Sequence, residues 1–330
     1  MKFDLDQLFA DFSKMKVAVI GDVMLDTYWW GSVDRISPEA PVPIMSVNKK
    51  EQRIGGAGNV ALNVVQLGAS VAVLSVLGND EDGVELKKLL QDNQIDTRFL
   101  LKSKNRITTN KIRIISRNQH MMRLDAEHTT DLVPEDEENL MNQIEKYILT
   151  EKPDVVILED YNKGILTHQI ITKTIDLCNK NSIVTTVDPK RKNFFSYKNV
   201  SLFKPNLSEA ITALNIIPEE ISNELLEAIH TQLRETLNHQ VSLITLSEKG
   251  IFYEDAKNKN IIPSHRRKIA DVSGAGDTVI AVASLVFSKT KDTQLTAEIA
   301  NISGGIVCEE VGTVSINKER LLAECKRLIS

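Results

Sequence analysis

The chain has 330 residues, of which 42% are hydrophobic, 26% charged and 5% aromatic, so one large α/β domain or two smaller domains fit its length. Forty basic against 45 acidic side chains leave a net charge of −5, which argues against a nonspecific nucleic-acid binder with its basic excess. Three scattered cysteines (Cys178, Cys308 and Cys325) form no CxxC pair, which disfavours a disulfide framework or zinc ribbon and suits a reducing cytoplasm.

The N-terminus, MKFDLDQLFADF, mixes acids with apolar residues and lacks a basic-then-apolar signal pattern. No run along the chain approaches the roughly 18 apolar residues of a membrane span, so no membrane partner is expected. VAVI (17–20) predicts the first buried strand. Residues 27–54, with YWWG, SPEAPVP and IMSVNKKEQRI, then interrupt the pattern. GGAGN (55–59) opens a helical stretch, VAVLSVL (71–77) is a second strand, and GVELKKLLQ a second helix. Residues 106–125 alternate apolar and polar side chains, as a half-exposed antiparallel hairpin does. Together with 27–54 they predict a small β-lid, in which Trp29 and Trp30 cover a ligand or a subunit interface, or simply pack.

Beyond the lid, PEDEENLMNQIEKYIL begins a helix at a proline with acids in its first turn. DVVILED (154–160), IVTTVD (183–188) and VSLITLS (241–247) predict three more strands. Helical patterns lie between and after them: HQIITKTIDLC, LSEAITAL, ISNELLEAIHTQL, TVIAVASLVFSK and ISGGIVCEE. Strands alternating with helices predict a mostly parallel sheet covered on both faces, with no linker to support a two-domain cut.

Ligands of such sheets bind beyond the C-terminal ends of the strands. Polar groups stand there at Asp22 with Asp26, at Gly78-Asn79-Asp80, at Asp160, at Asp188-Pro189-Lys190, and at Ser247-Glu248-Lys249-Gly250. Each alone reads as a turn or cap; five together point to a shared site. DVSGAGD (271–277) before an apolar helix would leave unpaired N–H groups at a helix N-terminus, a geometry that holds phosphate. Asp277 in that first turn either caps the helix or takes a proton from an attacking hydroxyl. Gly56 and Asn59 open the earlier helix without the Lys-Ser/Thr of a P-loop, and no GxGxxG follows the first strand. Asn206 and Glu209, three apart at the start of LSEAITAL, suit a capping box first and a hydrated Mg²⁺ second.

The segments GGAGNVALNVVQLGASVAVLSVLG (55–78) and DVSGAGDTVIA (271–281), with NLSE (206–209) between them, resemble the ribokinase-like PfkB carbohydrate kinases; Val272 stands where Thr is commoner in that family. The resemblance covers the whole chain and implies a ribokinase-like three-layer α/β/α fold. GDVMLDTYWWG, DRISPEAPVPI, SRNQHMMRLD, EDYNKG, DPK and PNLSEA are similar to the heptose phosphate kinase branch of that family. This branch implies ATP-dependent phosphorylation of the anomeric O1 of a heptose 7-phosphate, on the route to ADP-heptose and lipopolysaccharide. Another sugar or nucleoside kinase of the family, or a silent sugar-binding regulator, are the alternative expectations.

By this resemblance, Asp277 is the base and the amides of Gly274, Ala275 and Gly276 hold phosphoryl charge. Magnesium lies near Asn206 and Glu209 through water, and both residues contact ATP. Ser247, Glu248, Gly250, Asn301, Gly312 and Thr313 complete the nucleotide contacts. Asp22, Asp26, Gly56, Asn59 and Asp160 face the sugar. Arg35, Arg117, Arg123, Lys163 and Lys190 are candidates for its phosphate, each also readable as a solvated surface charge. The resemblance further implies a homodimer through the lid. A single kinase domain over 1–330 is expected, with a separate adenylyltransferase acting in the same pathway.

Overall fold

In the computed structural model of the chain, which describes residues 4–117, 119–218 and 220–329, each predicted apolar run becomes a strand. In chain order the strands are β1 (Lys16–Gly21), β2 (Val23–Ile36), β3 (Pro43–Gly56), β4 (Ser70–Gly78), β5 (Leu100–Ser103), β6 (Asn110–Ser116), β7 (Gln119–Ala126), β8 (Val155–Glu159), β9 (Val184–Asp188), β10 (Leu202–Phe203), β11 (Val241–Thr245), β12 (Ile251–Glu254) and β13 (Lys259–Ile262). The helices are α1 (Leu5–Asp11), α2 (Ala57–Gln66), α3 (Glu81–Asp92), α4 (Pro134–Glu151), α5 (His168–Lys180), α6 (Leu207–Ala213), α7 (Asn223–Leu237), α8 (Ala275–Thr290), α9 (Thr293–Val307) and α10 (Lys318–Leu328).

The main sheet has the order β13-β12-β11-β10-β9-β8-β1-β4-β5. It is parallel from β5 to β11, and β12 and β13 add an antiparallel edge that the sequence pattern did not predict. Alternate residues of β1 and β8 feed two cores. Val17, Val19, Val155 and Ile157 pack with α2, α8 and α9; Ala18, Ile20, Val156 and Leu158 pack with α4, α5 and α7. Burial on both faces is why these strands are continuously apolar rather than alternating. The result is the three-layer α/β/α arrangement.

The lid is a separate sheet of order β3-β2-β6-β7, with β2 antiparallel to β3 and parallel to β6. β2 and β3 together span 23–56 and so reach further toward the body than the expected 27–54, whereas β6 and β7 span 110–126 against the expected 106–125. β2 begins two residues after β1 ends, and β3 runs directly into α2. A glycine with positive φ stands directly before each of the site helices α2 and α8. Gly56 has φ +59°, and a Cβ there would lie 2.4 Å from the Asp22 carbonyl oxygen. Gly274, ahead of α8, has φ +77°, and a Cβ there would lie 2.9 Å from Asn59 Nδ2. α9 starts nine residues before the predicted stretch, because Asp292 caps it by accepting from Leu295 N–H.

Candidate active site

Asp277 is the third residue of α8 and is 3% exposed. Tyr161 Oη donates to its Oδ1 at 2.6 Å, and Asn59 Nδ2 donates to its Oδ2 at 2.7 Å. Each oxygen accepts one hydrogen bond from a neutral donor, so the carboxylate keeps lone pairs for an incoming hydroxyl. Burial, opposed by these two hydrogen bonds, raises its pKa to about 6. The Ala275 N–H, expected beside it as a phosphoryl donor, is instead given to Val272 O at 3.2 Å. Among the described residues the Gly274 and Gly276 amides donate to no carbonyl, leaving them as the free N–H groups of this terminus.

Beneath that terminus lies a charged cluster built on strand ends. β8 and β9 alternate so that Glu159 and Asp188 follow Ile157 and Thr186 onto the α8 side of the sheet. Asp188 accepts from Lys190 Nζ at 2.8 Å and Lys204 Nζ at 2.7 Å. Burial opposes its ionisation, yet the two ammonium groups hold it below the usual carboxylate range. A Cβ at Gly276 would lie 3.6 Å from Asp188 Oδ2 and 3.8 Å from Lys204 Nζ, which sets this pair beside the free amide. Glu159 is fully buried and neither of its oxygens has a hydrogen-bond partner. Burial, then Asp188 and Asp277, push its pKa well above the ordinary carboxylate value.

Lys190 also pairs with Glu209 Oε1 at 2.7 Å. Asn206 and Glu209 form the reciprocal capping box of α6: Asn206 Oδ1 accepts from Glu209 N–H, and Glu209 Oε2 from Asn206 N–H, both at 2.8 Å. These oxygens are already engaged, and among the described residues no cluster of three or more His, Cys, Asp or Glu is set to hold a metal ion. The donor set therefore fits a divalent cation that keeps its waters and its nucleotide phosphates, and does not fit a protein-only cage.

On the lid side, Asp26 is ion-paired with Arg113, and its Oδ2 lies 3.5 Å from Thr313 Oγ1. Asp22, expected to face the sugar, is taken up by the loop after β8. It accepts N–H from Tyr161 (2.8 Å), Lys163 (3.1 Å) and Ile165 (3.1 Å) and so shapes the segment that presents Tyr161 to Asp277. Asp160 likewise turns to Tyr197 Oη at 2.7 Å; burial raises it to about 6. Lys163 Nζ is paired with Glu127 at 2.8 Å.

The pfkB carbohydrate kinase family matches residues 14–320, which carry all of these groups. The chain belongs to the pfkB family of carbohydrate kinases. The kinase is 40% identical over 309 residues to the bifunctional protein HldE of Aliarcobacter butzleri, covering 93% of this chain and 64% of that protein. It is 39% identical over 302 residues to HldE of Sulfurimonas denitrificans, covering 92% and 62%. The chain thus spans a little under two thirds of the length of these relatives. Its fold is that of phosphofructokinase-2 from Escherichia coli (TM-score 0.78, 17% identity, 95% of this chain and 100% of that one). It is also that of Arabidopsis thaliana ribokinase complexed with ribose and ATP (TM-score 0.72, 15% identity, 93% and 98%).

The remaining expected positions of the kinase divide into two groups. Gly312 N–H donates to Asp271 Oδ2 at 2.9 Å, and Thr313 borders Gly274, so both lie near the α8 terminus. Asn301 Nδ2 donates to Pro263 O at 2.8 Å, and Ser264 Oγ donates to the Glu248 carbonyl, which ties α9 and the Ser247–Gly250 turn to the segment following β13. Arg35, Arg117 and Arg123 stand on exposed lid positions: Arg117 near Asp34 and Arg123 paired with Asp125. The structure does not bring these three to Asp277. Tyr161, Glu159, Lys204, Arg113 and Lys111 were missed as site residues. Strand alternation carried a signal for Glu159 alone, since Ile157 and Glu159 must share a face.

Proposed function

We propose that this kinase transfers the γ-phosphoryl group of ATP to the anomeric O1 of D-glycero-β-D-manno-heptose 7-phosphate, giving the 1,7-bisphosphate for ADP-heptose and lipopolysaccharide synthesis in the cytoplasm. The observation that carries the chemistry is a buried carboxylate, Asp277, held by two neutral donors beside the free amides of Gly274 and Gly276. The choice of a heptose rests on the 34–40% identity to the HldE relatives over more than nine tenths of this chain.

In this reading Asn59 and Tyr161 orient the Asp277 carboxylate, which takes the proton of the sugar O1 hydroxyl. The O1–Pγ bond forms as the Pγ–O bond to ADP breaks, and ADP leaves with that electron pair. The amides of Gly274 and Gly276 and the Lys204 ammonium face the charge that spreads over the phosphoryl oxygens. A divalent cation, Mg²⁺ in this reading, supplies charge neutralisation on the nucleotide phosphates when bound, with Asn206 and Glu209 holding its waters. Asn301, Gly312, Thr313 and the Ser247–Gly250 turn are assigned to ATP, and Asp26, Gly56 and Asn59 to the sugar hydroxyls. Turnover of a panel of sugars with ATP tests the assignment. Heptose 7-phosphate should give the highest kcat/KM, and clearly better turnover of ribose, fructose 6-phosphate or a nucleoside would replace it.

The outer face of the lid supports a homodimer. Strand alternation puts Trp29, Ile112, Ile114, Met122 and Leu124 on the side away from Asp26 and Arg113, and Met122 is 56% and Leu124 43% exposed. An apolar sheet face of this kind is covered in a stable protein.

A further inference from the structure

Lys111 lies on β6, in register with Asp26 of β2, and therefore on the lid face turned toward the site. Its ammonium group stands 5.7 Å from the centre of the Tyr161 ring, whose hydroxyl donates to Asp277. One aromatic side chain thus separates this cation from the carboxylate. Among the described residues Lys111 makes no ion pair, although three carboxylates lie near it. Each of them has another cation: Asp26 has Arg113, Asp125 has Arg123 at 2.8 Å, and Glu127 has Lys163 at 2.8 Å. Burial, and then the Lys163 ammonium, make the charge on Lys111 costly and hold its pKa below the ordinary lysine value. Lys163 is itself fixed in place, because its N–H is bound by Asp22 and its carbonyl accepts from Arg106 Nη2 at 2.7 Å. Lys190, 5.8 Å from the centre of the same ring, is already bound to Asp188 and Glu209 and has no charge to spare.

Two ammonium groups brought together in a half-buried position, one of them unpaired, are stabilised by an anion between them. We propose that Lys111 and Lys163 form the anion subsite of the sugar-binding cleft, taking the phosphate carried at the end of the substrate remote from the reacting hydroxyl, and that Lys111 sets the preference for phosphorylated over unphosphorylated sugars. This rests on the reading of Asp277 as the base of a sugar kinase; of the phosphate candidates in the sequence it keeps Lys163, and it adds Lys111, which the sequence did not single out. Lysine suits the role as a point charge that follows a phosphate without fixing its orientation.

The test compares kcat/KM for heptose 7-phosphate and for unphosphorylated heptose in the wild type and in Lys111→Ala, Lys111→Gln and Lys111→Arg. The ratio of the two values is expected to fall about 10- to 100-fold in the Ala and Gln variants, chiefly through KM, and to be largely restored by Arg. A purely structural role would lower both values together, and an unchanged ratio overturns the proposal. The pairs ribose 5-phosphate with ribose and fructose 6-phosphate with fructose separate this idea from the choice of heptose. If the wild type prefers another phosphorylated sugar and Lys111→Ala abolishes that preference, the heptose assignment falls and the subsite stands. If the wild type prefers no phosphorylated sugar over its unphosphorylated twin, the subsite falls whichever sugar is used.

Discussion

The chemistry of the site turns on how one carboxyl group is kept poised. Asp277 gains nothing from a cation at hydrogen-bond distance; burial raises it to about 6 while Tyr161 and Asn59 favour its charged form. Only the deprotonated form can take a proton. kcat/KM for the sugar is therefore expected to be flat above this pKa and to fall about tenfold per pH unit below about pH 6. A pH–rate profile in which kcat/KM rises on acidification would contradict the assignment. Asp277 was legible in the sequence because small residues before an apolar helix leave few other arrangements. Tyr161 was not, since its role comes from a loop folded around the Asp22 carboxylate, a contact between residues 139 apart in the chain. Asp22 shows the converse. Its place after β1 marked it as a sugar ligand, and its three N–H partners make it the anchor of that loop.

Among the elements, the helix termini supply most of the candidate site. α8 contributes free amides and Asp277, α2 contributes Asn59, and α6 contributes Asn206 and Glu209. The spacing of Asn206 and Glu209 admitted a cap or a metal site, and the structure forms the cap and adds Lys190 to Glu209. If the pair also holds the waters of a divalent cation, Asn206→Ala should do two things. It should cost about 1 kcal/mol of stability through the lost cap, read by urea denaturation, and should raise the Mg²⁺ concentration needed for half-maximal rate. Loss of stability with an unchanged Mg²⁺ requirement would leave Asn206 as a cap alone. Parallel strands were legible because burial on both faces makes them continuously apolar, whereas β12 and β13 were not, being four-residue edge strands with little periodicity to read. The start of α9 was missed for a related reason: its first turns, from Thr293, mix polar and apolar residues, and Asp292 alone marks the boundary.

At the scale of the molecule, the two faces of the lid sheet differ in character. Its inner face brings Asp26, Lys111 and Arg113 toward the cleft, and its outer face presents Trp29, Ile112, Ile114, Met122 and Leu124. Alternation along residues 106–125 made the hairpin visible in sequence, but the pairing of β6 with β2, which decides the faces, joins segments about 85 residues apart and has no local signature. If the outer face closes a homodimer, the wild type should have the mass of two chains in light scattering, and Ile114→Glu should halve it. A wild type that is monomeric and fully active would remove the lid from any role in assembly. No described helix is long and apolar enough to cross a membrane.

The central claim is that Asp277 accepts the proton of the sugar hydroxyl while the neighbouring amides hold the phosphoryl group, and turnover of Asp277→Asn with ATP and heptose 7-phosphate tests it most directly. A fall in kcat of about 10²- to 10⁴-fold, with sugar binding and thermal unfolding close to those of the wild type, is the expected result. A near-normal kcat in this variant would contradict it.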